Sequence, residues 1–120
     1  MKRKCIFCKI YNNEIPAKVV YKDKKFIAFY DIKPLAPVHI LVVPKKHIDS
    51  LNELKNKEKG LIGELFLVIK KIVKKMNLIN KGYKVVINVG KGGGQIIYHL
   101  HFHLLGGWRS NEEREEGEMP

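Results

Sequence analysis

This chain contains no uninterrupted apolar run of the roughly 18 residues that a membrane-spanning helix requires, so no span is expected. The opening "MKRKCIFCKIYNNEIP" is basic, but no apolar signal-peptide segment follows it, and the cytosol is the expected compartment. Cysteine is scarce, with only Cys5 and Cys8, spaced C-x-x-C. In a reducing compartment a structural disulfide is excluded as the default, leaving metal binding or redox chemistry. The flanking sequence gives no βαβ context for a thioredoxin-type motif, so half of a zinc site is the better reading. Internal repeats and Pro/Gly/Ser-rich linkers are also missing, and 120 residues fit one domain able to bury its own core.

Acidic residues are few and badly distributed. Five of the twelve stand in the tail "NEEREEGE", at Glu112, Glu113, Glu115, Glu116 and Glu118. Residues 1–108 therefore hold 21 Lys and Arg against seven Asp and Glu, a charge of +14. Such a body attracts polyanions. The basic residues are nearly all lysines spread along the chain, however, and no cluster interleaves them with aromatics. Nucleic acid is thus not the expected partner, and phosphate-bearing small ligands suit the charge better.

What is present is a set of clear periodicities. "CIFCKIYNN" is compatible with a short helix. "AKVVYKD" and "KFIAFYDI" alternate like strands joined at a polar turn, and "HILVVPKKH" reads as a strand ended by Pro44. Between residues 48 and 78, Leu61, Leu65, Ile69, Ile72 and Met76 form one helical stripe, which predicts a core-facing surface. Lys70, Lys71, Lys74 and Lys75 complement the helix dipole at its C-terminal end. "GYKVVINVG" and "IIYHLHFHLLGG" are further strands flanking the loop "KGGGQ", and the strand near 83–89 is a sheet edge unless it pairs. Five strands and one long helix predict an α+β fold: a five-stranded antiparallel meander sheet with one long and one or two short helices.

Chemistry concentrates in "YHLHFHLLGG". His99, His101 and His103 occupy alternate positions and would share one strand face, with Leu100, Phe102 and Leu104 pointing into a core. Three imidazoles buried without partners would be costly. The pattern suits metal chelation, and equally suits catalysis by an imidazole acting as nucleophile and proton shuttle. Just upstream, Gly92, Gly93 and Gly94 form a loop whose backbone can approach an anion. No G-K-[ST] follows, so it is not a P-loop.

"HLHFHLL" fits the alternating His-φ-His-φ-His-φ-φ pattern of the histidine triad (HIT) superfamily. "CIFCKIYNNEIPAKVVYKD", "FIAFYDIKPLAPVHILVVPKKHI" and "GYKVVINVGKGGGQIIYHLHFHLLGG" resemble its Hint branch, the histidine triad nucleotide-binding proteins. The resemblance covers residues 5 to 107, and implies a HIT domain over 1–108 with an acidic tail over 109–120. It implies a homodimer and a hydrolase of purine nucleoside 5′-phosphoramidates working through a covalent nucleotidyl-histidine. His101 would be the nucleophile, His103 would hold the phosphate, and His39 would support the triad, whose first member is His99. Asn88, Gly94 and Gln95 would hold ribose and phosphate, and Asp31 the ribose hydroxyls. Ile6, Phe7, Ile10, Phe29 and Ile32 would form the slot for the base of a nucleotide such as AMP or GMP.

Some relatives of this type, with the related galactose-1-phosphate uridylyltransferases, carry a structural zinc. The matching positions here are Cys5, Cys8, His47 and His99. Two departures from the Hint pattern stand out. Ile96 occupies a position where many such proteins have a serine that assists the leaving group, and "WRSNEEREEGEMP" differs from the usual C-terminal segment. The superfamily also contains dinucleoside polyphosphate hydrolases and nucleotidyltransferases. A nucleotide-binding regulatory or nucleic-acid-associated protein with little activity is the alternative from a different class.

Overall fold

The computed structural model describes residues 4–109. The acidic run expected as a tail lies outside the described residues. A short helix α1 (Ile6–Tyr11) leads into strands β1 (Val19–Lys22), β2 (Phe26–Tyr30) and β3 (Val38–Pro44). After two single-turn 3-10 segments comes the long helix α2 (Lys59–Lys75), followed by β4 (Tyr83–Val86) and β5 (Phe102–Gly106). The five strands form one antiparallel sheet in the order β1-β2-β3-β5-β4.

This is the expected α+β architecture, with one difference in strand order. Only β1, β2 and β3 run as a meander. The chain then crosses over through α2 to the far edge, lays down β4, and returns β5 into the space between β3 and β4. The crossover puts the histidine-bearing strand at the sheet's interior, beside β3, and leaves β4 as an edge.

Strand periodicity explains the two layers. Phe26 and Ala28 of β2, Ile40 and Val42 of β3, and Phe102 and Leu104 of β5 face α2. There they meet Leu65, Val68, Ile69, Ile72 and Val73, so the predicted helical stripe is the core face. The intervening residues Ile27, Phe29, Leu41 and Val43 face the other way and pack on Phe7 and Ile10 of α1. Strand β3 is accordingly covered on both sides, and its "HILVV" run is continuously apolar after the histidine.

Two element boundaries differ from expectation. The helix starts only at Lys59, because Ser50 caps a separate turn at Leu51–Glu53 through an Asn52 N–H bond of 3.1 Å. The final strand covers Phe102–Gly106 and not 96–107. The ladder between β3 and β5 runs from Val38↔Gly106 to Val42↔Phe102. It stops as it nears Pro44, which has no N–H to donate. The Pro44 carbonyl bonds the His99 ring instead, and the Leu100 N–H reaches the Ile48 carbonyl at 2.6 Å.

Candidate active site and metal cluster

The α1 face of the sheet carries every histidine of the "HLHFH" stretch. In β5, His103 lies opposite Leu41, and in β3, His39 lies opposite Leu105, which makes the two histidines diagonal neighbours. His101 and His99 continue along the same side just before β5. Ring centroids are 5.2 Å apart for His101–His103, and Phe7 stands edge-on to His101 at 5.0 Å and to His99 at 5.9 Å. One shared face for the three imidazoles was the expectation. The structure keeps the shared side while taking His99 and His101 out of the regular strand.

Backbone partners fix which ring nitrogen carries each proton. His101 Nδ1 lies 2.7 Å from the His99 carbonyl oxygen, an acceptor, so Nδ1–H donates and Nε2 keeps its lone pair. At His39 the sense is reversed: the Leu35 N–H donates to Nδ1 at 3.0 Å, which leaves the proton on Nε2. That Nε2–H donates to His103 Nδ1 at 2.9 Å, so the remaining His103 proton is on Nε2. The result is one bare nitrogen on His101 beside a donor N–H on His103.

Burial keeps these rings neutral. Desolvation lowers the pKa of His39 and of His101. His103 is pushed down to about 4, first by burial and then by the neighbouring His101 and His39. Asp31 stands 3.6 Å from His39 Nε2 through Oδ2, and its Oδ1 accepts the Lys33 N–H at 2.8 Å. Asp31, His39 and His103 lie within 4.8 Å of one another, but the Nδ1 atoms of both histidines already accept hydrogen bonds, which suits a relay better than a metal.

Of the expected base slot, Phe7, Ile10 and Phe29 are buried in the α1-side core. Ile6 and Ile32, at 41% and 91% exposure, are the members that offer free surface. The glycine loop is more closed than expected. Gly90 and Gly94 take φ of +72° and +87°, values natural to glycine. The N–H groups of Gly93, Gly94 and Gln95 bond to the carbonyls of Gly90, Lys91 and Gly90, so they are engaged inside the turn. The Asn88 amide donates to the Gly93 carbonyl at 2.9 Å. Gln95 is 5% exposed, and its side chain also points inward, to Gly90, Asp49 and Ile97.

Four further ligand-type groups converge at the N-terminus of α1. Cys5 Sγ caps the helix by accepting the Cys8 N–H at 3.4 Å, and the i, i+3 spacing brings both thiols to one end. His99 Nδ1 is 3.2 Å from Cys5 Sγ and 3.6 Å from Cys8 Sγ, and His47 Nδ1 is 3.5 Å from Cys8 Sγ. All four atoms lie within 4.8 Å of one another. A tetrahedral zinc with the usual Zn–S and Zn–N lengths has S–N edges of about 3.5 Å. The cluster therefore fits the ion.

Both imidazoles are also oriented as ligands should be. His99 donates Nε2–H to the Pro44 carbonyl at 2.7 Å, and His47 donates Nε2–H to Asp49 Oδ1 at 2.9 Å. Each Nδ1 lone pair is thereby aimed at the thiols. Burial holds the His99 pKa down to about 4, which favours the neutral form a metal needs. A cleft of about 650 Å³ runs past Cys8 and His47 and is lined by Tyr11, Lys24, Lys45 and Lys46. His39, His101 and His103 do not line it, so it opens beside Cys8 and His47 and not beside the triad.

Sequence reasoning missed the orienting groups. His47-x-Asp49 was a readable signal, because a carboxylate two residues on can reach the far ring nitrogen. The Pro44 and His99 carbonyls and the Leu35 N–H had no signal, since backbone groups look alike in every sequence.

An "HLHFH" stretch whose imidazoles share one side of an α+β sheet, with a bare nitrogen on His101 beside an N–H donor on His103, is the arrangement expected of a histidine-triad protein. The chain belongs to that family: residues 12–110 match the HIT domain model. It is 47% identical over 102 residues to Protein HitA of Neisseria gonorrhoeae, an alignment covering 85% of this chain and 94% of that one. Among solved structures, a HIT family hydrolase from Legionella pneumophila superposes with a TM-score of 0.85 at 47% identity, covering 88% of this chain and 94% of that one. A histidine triad protein from Clostridium difficile gives 0.86 at 48% identity, with 89% and 93% covered.

Proposed function

We propose that this protein is a nucleotide-binding hydrolase that cleaves purine nucleoside 5′-phosphoramidates, with AMP or GMP as the nucleotide portion. The observation that carries the proposal is the His101 Nδ1–H bond to the His99 carbonyl at 2.7 Å, which leaves Nε2 free to attack. Nε2 forms a bond to the α-phosphorus as the P–N bond breaks, and the departing amine takes a proton from solvent. The ring becomes cationic at that moment, and the carbonyl on Nδ1–H stabilises the developing charge. Water then attacks phosphorus, gives up a proton, and releases the nucleoside monophosphate and neutral His101.

The neighbours divide the remaining work. His103 Nε2–H donates to a phosphate oxygen, held in that tautomer by the relay from Leu35 through His39. Asp31 accepts the ribose hydroxyls, while Ile6 and Ile32 cover one face of the base above the buried Phe7, Ile10 and Phe29. Asn88, Gly94 and Gln95 act by shaping the loop beside the phosphate. In this reading the cluster of Cys5, Cys8, His47 and His99 holds a structural zinc, which fastens α1 to the sheet and takes no part in the bond changes.

The protein works as a cytosolic homodimer in this reading, with Phe66 and Leu67 of α2 and Tyr83 and Val85 of the edge strand β4 exposed for the partner. Among the described residues no helix is long and apolar enough to cross a membrane. Acid-free quenching of the reaction with ³²P-labelled adenosine 5′-phosphoramidate should trap a nucleotidyl-protein adduct that His101→Ala lacks. Tight AMP binding with no P–N hydrolysis above background would instead point to a binding module.

A further inference from the structure

We propose that the Cys5–Cys8–His47–His99 cluster, when filled, positions the triad side of the protein through two short bridges, with Asp49 and Gln95 as positioning residues. The proposal builds on the reading above for what the positioned groups do. Its geometry stands independently of that reading.

The first bridge is a single residue. His99 turns its Nδ1 toward the two thiols and its own carbonyl toward His101 Nδ1. A ligand that fixes the His99 ring also limits rotation of the backbone carrying that carbonyl. Phe7 reinforces the link. It lies between the two cysteines in α1 and stands edge-on to both His99 and His101.

The second bridge runs to the glycine loop. His47 donates Nε2–H to Asp49 Oδ1, and the Asp49 carbonyl accepts from Gln95 Nε2 at 2.8 Å. Gln95 Nε2 also donates to the Ile97 carbonyl at 3.0 Å, and Oε1 accepts the Gly90 N–H at 2.9 Å. Gly90 in turn accepts from Gly93 and Gln95 through its carbonyl, so it anchors both ends of the loop. Buried polar groups that are all paired act as a unit, and loosening one member exposes the others. Gln95 is thus assigned to holding the loop and not to touching substrate.

The test is a double cycle between metal removal and Gln95→Met, which keeps side-chain length and removes all three bonds. Zinc content is measured first, by elemental analysis, and Gln95→Met should retain it. Amide hydrogen exchange is then followed at Gly90 and in α2, with the side-chain Nδ1–H of His101 followed by NMR. In the native chain, chelating zinc should speed Gly90 exchange at least tenfold and broaden the His101 signal, while α2 core amides stay protected. In Gln95→Met, Gly90 exchange should already be fast and should not change further on chelation. Asp49→Ala, loaded with zinc, should give an intermediate Gly90 rate. AMP affinity, measured calorimetrically, should fall with Gly90 protection.

Chelation that leaves Gly90 and His101 unchanged, or effects of metal and Gln95→Met that simply add, would overturn the proposal. Loss of protection throughout α2 on chelation would also overturn it, since the metal would then be holding the whole fold and not these two bridges. Failure to bind AMP would sink the nucleotide reading while leaving the exchange result able to support the bridges.

Discussion

His101 Nδ1 sits 2.7 Å from the carbonyl oxygen of His99, two residues before it in the chain. This one hydrogen bond sets the tautomer of the His101 ring. It commits the proton-bearing nitrogen of His101 to a local acceptor and leaves the lone pair on Nε2, the nucleophile of the proposed reaction. Replacing His101 with alanine should lower phosphoramidate turnover by about 10⁴-fold or more, as expected when a covalent nucleophile is removed. Folding should be retained, which near-ultraviolet circular dichroism would check. Residual turnover within tenfold of the native rate would place the nucleophile elsewhere.

His39 is a different kind of residue. It accepts from Leu35 and donates to His103, and so sets the tautomer of the His103 ring. His39→Ala should reduce kcat by roughly tenfold to a hundredfold, the equivalent of a lost hydrogen bond worth about 1.5–3 kcal/mol. His39→Gln, which can still donate to His103, should recover part of it. Steady-state kinetics on the two variants would separate tautomer control from simple packing.

The Cys5–Cys8–His47–His99 cluster, as a proposed zinc site, gives a stoichiometric expectation. Purified protein should hold close to one zinc per chain, and His47→Ala or Cys8→Ser should lose most of it. Asp49→Ala, which removes only the carboxylate behind His47, should weaken zinc about tenfold to a hundredfold. Competition with a chromogenic chelator measures this. Native protein with well under half an equivalent of zinc would remove the four-ligand site.

Acid should destabilise the fold through the buried imidazoles. The His103 pKa falls from its ordinary 6.5 to about 4 in the folded chain, chiefly through burial. Between those values the unfolded chain binds a proton that the folded chain does not, so unfolding takes up protons. Stability is therefore unaffected by this group above about pH 6.5 and declines as pH falls toward 4. Urea midpoints measured from pH 7.5 to 4.5 should fall less steeply for His103→Asn than for the native protein. Equal slopes would assign the acid sensitivity to other groups.

The core between α2 and the sheet sets a stability scale. Leu104 of β5 and Leu65 of α2 are both fully buried there. Leu104→Ala should cost about 2–5 kcal/mol, the range for a truncated core leucine that leaves a cavity. Denaturant unfolding would read this directly, and a change under 1 kcal/mol would mean that the strand repacks.

Local periodicity made most of the elements legible. The stripe Leu61, Leu65, Ile69, Ile72 and Met76 announced α2, and the short run "KFIAFYDI" announced β2, whose residues are buried on both faces of the sheet. The "HLHFH" repeat predicted three imidazoles on one side from strand alternation, and they do share that side, although only His103 lies within the regular strand and the local bend at His99 had no such signal. C-x-x-C likewise declared a pair of thiols at one place. Each of these follows from short-range geometry that the neighbouring residues impose on one another.

What the sequence could not give was the order of strands and the partners of each ring nitrogen. The meander expectation failed at β4 because the crossover through α2 is a long-range choice, made by burying β5 between two neighbours. Pro44 ended the β3–β5 ladder, and only the folded backbone shows that its freed carbonyl then meets His99. The side chain of Gln95 bonds Gly90, Asp49 and Ile97 inside the loop, partners that no local pattern announces. The sequence by itself determined which imidazoles and thiols are the candidates for chemistry, because their types and spacing are local facts. Tertiary structure decided which nitrogen of each histidine carries the proton, because that depends on the carbonyls, amides and side chains the fold brings to each ring.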